Sequence, residues 1–165
     1  MRSLIQGVVG LLSLRGGPQH MPASWGLTAL LLLIYLVLNQ VTAQQLDDEY
    51  AGAKGLVAVL LQVMILAGLL RWRRCRERFP QTLAALVAVG IVFSALTWGL
   101  LSQSDPTVNQ PGLALAWFGV FIWSLFVEAH IYRHALSVNF SIGMLITVLI
   151  LAISYIFIDL LFLGG

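Results

Sequence analysis

Two histidines one helical turn apart are the first side chains in this chain whose types and spacing could do chemistry. His130 and His134 sit four residues apart in the stretch EAHIYRH, Glu128 to His134, so both rings would leave one helical face and could share a metal ion. Glu128 falls about 200° round the helix from His130 and does not easily join them. A metal site therefore needs ligands from elsewhere, and His20, the remaining histidine, stands in a Gly/Pro-containing segment. The favoured reading assigns no metal. It takes the pair as polar groups marking the end of an apolar span, with Tyr132 and Arg133 as lipid-facing anchors.

Asp159 is the second candidate, because a carboxyl inside an apolar segment is expensive and marks function by default. It lies close enough to the end of its segment to reach headgroup water. It also suits a pairing with Lys54 at the same depth, and Tyr155 one turn earlier can donate a hydrogen bond. Gln62 is the strongly polar residue inside its own apolar segment, which suits an interhelical hydrogen bond as well as a substrate contact. The sequence carries no phosphate-binding glycine loop, GxSxG elbow, HExxH or paired CxxC. No catalytic residue and no cofactor is read from it. The acidic DDEY, Asp47 to Tyr50, is read as a solvated loop and not as a cation site.

These residues must be positioned by membrane-spanning helices. Charged residues make up 10% of the 165 and hydrophobic ones 59%, against about 25% charged in ordinary soluble domains. A bilayer span needs about 20 mainly apolar residues with every backbone group satisfied internally. Five stretches qualify, at about 25–41, 55–70, 81–102, 112–136 and 140–163. The expected fold is all-α, a five-helix transmembrane bundle over 21–165 behind an N-terminal unit at 1–20. In that unit, SLIQGVVGLLSL places Leu4, Ile5, Val8, Leu11 and Leu12 at helical spacing, with Ser3, Gln6, Gly7, Gly10 and Ser13 opposite. It is too short to span and is expected to lie in the membrane interface as an amphipathic helix. A cleaved signal peptide is the alternative; the glycines and the missing small-residue cleavage site speak against it. RGGPQHMPAS follows as a breaker, and Ser24 is the expected N-cap of the first span.

The run RWRRCRERFP, residues 71–80, then explains itself. Lys and Arg accumulate on the cytoplasmic side of a membrane. With five spans, Arg2, Arg15, Arg71, Arg73, Arg74, Arg76, Arg78 and Arg133 all fall on one side and Lys54 on the other, beside Asp47, Asp48, Glu49 and Asp105. The N-terminus is expected in the cytoplasm and the C-terminus outside. Arg71, Arg73, Arg74, Arg76 and Arg78 are expected to touch anionic lipid headgroups or a partner, each exposed arginine gaining about 1 kcal/mol near such a surface. Trp25 and Trp72 fit the inner interface, Trp98 and Trp117 the outer. The lone Cys75 is read as a tolerated thiol. Nucleic acid is not an expected partner, since the run has one tryptophan and no fold around it.

The third span carries small residues at four-residue spacing: Ala84 and Ala88, Gly90 and Ser94, Ala95 and Gly99. Such spacing lets backbones approach closely, within the chain or against another membrane protein or a second copy; Gly90, Ala95 and Gly99 are the expected packing face. The layout of SLIQGVVGLLSL, the Pro-containing RGGPQHMPAS and five tightly spaced spans resembles the Yip1 family of small polytopic membrane proteins. EAHIYRHAL and RGGPQHMPAS are also similar to segments of uncharacterised bacterial inner-membrane proteins. The DLYGP motif of eukaryotic members is absent, so their binding of small GTPases does not carry over. The resemblance implies a scaffolding, trafficking or membrane-shaping role, a bacterial inner membrane and no catalytic residues. The reading is a non-enzymatic scaffold or assembly factor. The alternative is a small transporter or channel subunit with Gln62 and Asp159 on its path, and a lipid enzyme built on His130 and His134 ranks last.

Overall fold

The computed structural model describes residues 2–45, 49–105 and 109–162, apart from the side chains of Arg2 and Ser3. Asp47 and Asp48 of the expected acidic loop lie outside the described residues, whereas Glu49 and Asp105 are exposed. Every regular element among the described residues is helical: α1 (Arg2–Leu12), α2 (Trp25–Ala43), α3 (Ala51–Trp72), α4 (Phe79–Leu101), α5 (Pro111–Leu136) and α6 (Phe140–Phe162), with 3₁₀ turns at Pro18–His20 and Arg76–Arg78. The helices α2 to α6 are each long and apolar enough to cross a membrane. Their outward faces expose Leu30, Leu60, Leu115, Leu145 and Leu160, which suits hydrocarbon and not water. The chain has the build of a multi-pass membrane protein.

Local chemistry sets the helix ends. Ser24 is extended, and its hydroxyl accepts the Leu27 N–H at 3.4 Å to start α2. Pro80 and Pro111 stand in the first turns of α4 and α5, where a missing N–H does no harm. Ser137 ends α5 in the left-handed region at φ 53°, and the Asn139 carboxamide oxygen accepts the Ile142 N–H at 2.9 Å to start α6. The turn between α5 and α6 is thus only Ser137, Val138 and Asn139, with capping chemistry at both ends.

The helix α4 is the axis of the bundle. Thr82 to Val89 are buried at every position, the mark of a helix surrounded by others. The helices α2, α3 and α5 pack around it, and α6 leans on α5 and α3. A Cβ at Gly143 of α6 would overlap the Ala129 carbonyl oxygen of α5, so these two backbones meet directly.

The N-terminal unit departs from its expected arrangement. Helix α1 is docked against α4 and α5. Its inward side holds Gly7 and Leu11, with Leu4 and Val8 packed against the core, while Ile5 and Val9 are 62% and 57% exposed. Gly7 and Gly10 were expected opposite the apolar face. They turn inward because they have no side chain: Gly10 lies against Gly16, and Met21 reaches over Gly7. The segment expected as a breaker is packed too, with Gly17, Pro18 and Met21 buried.

Candidate functional site: a basic end and a buried carboxyl

The arginine loop does structural work that sequence did not suggest. The last carbonyls of a helix lack intrahelical partners and carry the negative end of its dipole. Arg78 Nη1 donates to the Ala135 carbonyl at 3.2 Å, the His134 carbonyl at 3.4 Å and Ser137 Oγ at 2.9 Å. Arg73 Nη2 donates to the Leu136 carbonyl at 3.2 Å. Two of the five arginines therefore cap α5 across the loop. Arg71, Arg74 and Arg76 remain exposed, and Arg74 holds a left-handed backbone at φ 58°. Trp72 stands 78% exposed among them, and Trp25 lies against Phe79 with ring centroids 5.8 Å apart. The Cys75 thiol donates to the Arg73 carbonyl at 3.3 Å.

Beside Arg78 the surface opens into a cleft of about 280 Å³ lined by Pro18, Gln19, Arg78, Gln81, Thr82, His134, Ala135 and Ser137. Its polar groups come from the segment before α2, from the arginine loop, and from the end of the α4–α5 contact where α4 begins and α5 finishes. Guanidinium, imidazole, carboxamide and hydroxyl groups converge there, a donor set matched to a phosphate or another anion.

The histidine pair does something other than share a metal. His130 is 4% exposed, and its Nε2 lies 2.9 Å from the Gly16 carbonyl, so this nitrogen carries the proton and donates. Trp123 Nε1 donates to the carbonyl of Leu12, the last residue of α1, at 3.2 Å. These two side chains of α5 hold the N-terminal unit in place. His134 meets His130 edge to face at 4.5 Å, and His20 turns back onto Gly17. Among the described residues no three His, Cys, Asp or Glu side chains gather as a metal site. Arg133 is exposed, but Tyr132 is fully buried and not a lipid-facing anchor.

Gln62 looks inward, onto a group that sequence had set aside. It lines a small cavity of about 20 Å³ with Tyr35 and Gly90, and the fourth side is Glu128. Glu128 lies eight residues before the end of α5, about 12 Å along the helix, well inside the span. Tyr132, one turn further on the same face, buries its hydroxyl beside Gln62 and Glu128, close enough to feel Gln62 but without a well-formed hydrogen bond. A Cβ at Gly90 would stand 2.9 Å from the Tyr35 ring, so Gly90 admits that ring to the site. The signal for Glu128 was present, an acid within an apolar span. Reading it as the edge of the span hid it.

Gln62 and Asp159 are not brought together. Asp159 is exposed on α6 and lines no part of the Gln62 cavity. Lys54 places its ammonium 5.8 Å from the Phe162 ring centroid, one turn beyond Asp159. Of the small residues on α4, Gly90 makes close contact, whereas Ala95 is exposed and a Cβ at Gly99 would meet open space. The expected packing face therefore does not run along α4 within the chain; contact concentrates from Thr82 to Gly90, where the neighbours converge. Comparisons with models of protein families, with curated protein sequences and with solved structures find no match for this chain.

Proposed function

We propose that this is a non-enzymatic, membrane-organising protein of a bacterial inner membrane, oriented with its basic end in the cytoplasm, which holds anionic lipid headgroups at that end. The observation that carries this reading is the division of labour among the arginines. Arg73 and Arg78 are spent on the α5 carbonyls, which fixes the loop, while Arg71, Arg74 and Arg76 stand exposed on the same loop that gives Arg78 to a cleft of anion-binding character. A positively charged surface beside exposed Trp25, Trp72, Ile5 and Val9 suits a headgroup layer, where aromatic and aliphatic groups enter the acyl boundary and cations meet phosphate. A Yip1-like scaffold is the form of this reading that the layout of a short first helix and five spans favours. Binding of another membrane protein or a second copy would use the same end.

Native mass spectrometry of the full chain, released from detergent with phosphatidylglycerol or phosphatidylcholine, tests it. The wild type should retain the anionic lipid and shed the zwitterionic one. R71Q/R74Q/R76Q should fold and lose that preference. Equal retention of both lipids by both proteins would overturn the reading.

A second reading, a small transporter or channel subunit, draws on one observation: Gln62 lines an interior cavity. Gln62→Leu lowering flux at unchanged abundance would favour it. Asp159→Asn, on the exposed face of α6, should leave flux unaltered.

A further inference from the structure

Burial of a carboxyl among four apolar helices raises the question of what neutralises it. The site lies where α2, α3, α4 and α5 meet, and each contributes: Tyr35 from α2, Gln62 from α3, Gly90 from α4, and Glu128 with Tyr132 from α5. No basic group faces the carboxyl among the described residues. His130 and His134 leave α5 about 200° and 240° round the helix from Glu128, and His130 is engaged with Gly16. The helices α2, α3 and α4 bring phenol, carboxamide and hydrogen to the site, and nothing cationic. An ionised carboxylate without a counter-charge is not sustained in such a place; the group takes a proton instead.

The other polar groups fit that form. A protonated carboxyl both donates and accepts, and the Gln62 carboxamide offers the complementary pair. The Tyr132 hydroxyl is fully buried beside Gln62 and Glu128 without a well-formed hydrogen bond. The cavity of about 20 Å³ lined by Glu128, Gln62 and Tyr35 has room for one water and not for a ligand of several atoms. A hydrated metal ion is excluded by the same volume, and a bare one would find too few oxygens. Glu128 itself is half-buried.

We propose that Glu128 is an intramembrane proton-binding site, with Gln62 and one water completing the hydrogen bonds of the protonated carboxyl. The proton comes from bulk water, binds one carboxylate oxygen, and returns to bulk water on release; no other bond changes. The proposal stands apart from the lipid-binding reading, whose residues lie at the basic end.

Infrared spectroscopy of the full chain in liposomes tests it, with glutamate carrying ¹³C at its side-chain carboxyl. The sequence has three glutamates, and Glu49 and Glu77 are exposed, so a protonated-carboxyl C=O band at neutral pH that shifts with the label belongs to Glu128. The expected result is such a band in the wild type, moved again in D₂O, reversibly exchanged for carboxylate bands at alkaline pH, and lost in E128Q. E128D should restore a band that is insensitive to the glutamate label. The wild-type measurement stands even where E128Q fails to fold. A spectrum with no label-sensitive protonated band at any pH would overturn the proposal. So would a band removed by sodium at constant pH, which would make the site a metal-cation site.

Discussion

The basic end and the interior site handle charge in opposite ways. At the end, cations outnumber anions, yet the two arginines that turn inward find helix carbonyls and a hydroxyl within 2.9 to 3.4 Å. In the interior there is one acid, surrounded by neutral oxygens and nitrogens, with a tyrosine hydroxyl left unbonded beside it. The two capping arginines are satisfied. The group that is not satisfied is therefore the better place to look for something bound, since an unmet buried polar group is destabilising unless a ligand or water meets it.

The largest effect expected from breaking that contrast is at Arg78. Arg78→Ala should lower stability by about 3 kcal/mol, because it strips a charged donor from several acceptors at the α5 terminus. Thermal unfolding in mild detergent reads this, and Arg78→Lys should recover a minor part, lacking the planar fork. A loss no larger than for Arg74→Ala would mean that the cap is incidental. Gly90→Ala comes next. Its methyl would press on the Tyr35 ring at 2.9 Å, and overpacking of this kind costs about 1–2 kcal/mol. The same unfolding experiment should show it, and no change would place the ring elsewhere.

Tyr132→Phe should move the other way. Removing a buried hydroxyl that makes no hydrogen bond should stabilise the fold by about 1 kcal/mol. Destabilisation of that size would instead show that a bound water already satisfies the hydroxyl, and would sharpen the case for an occupied site. The smallest effect is expected at Ala95→Leu, which adds bulk where the chain has no neighbour and should shift stability by less than about 0.5 kcal/mol. Native mass spectrometry should be run alongside, since a change in copy number would reveal that this stretch of α4 faces a second chain.

Much of the fold was legible because hydrocarbon imposes few solutions: a long apolar run must be a helix, and Pro80, Pro111 and Ser24 announce where helices start. What sequence hid were relations between distant residues. Nothing local in RWRRCRERFP says that Arg73 and Arg78 reach the end of α5, more than fifty residues later. By sequence His130 and His134 mark the interface, whereas the carbonyl that His130 meets belongs to Gly16, in a segment that read as a linker. Periodicity also misled on α1, where the missing side chains of Gly7 and Gly10 are what permit docking. Hydrophobicity alone assigns glycine to neither face. Glu128 was visible by type but not by direction, and direction decides whether a carboxyl marks an edge or a site.

The claim on which the functional reading rests is that the basic end faces the cytoplasm, and the single cysteine tests it without disturbing the cap. Cys75 stands in the arginine loop, so a membrane-impermeant maleimide applied to intact cells should leave it unlabelled and should label it in inverted membrane vesicles. A Ser104→Cys probe in a Cys75→Ser background, at the opposite end of α4, should show the reverse pattern. Labelling of Cys75 on intact cells, with Ser104→Cys protected, would turn the protein over and contradict the account.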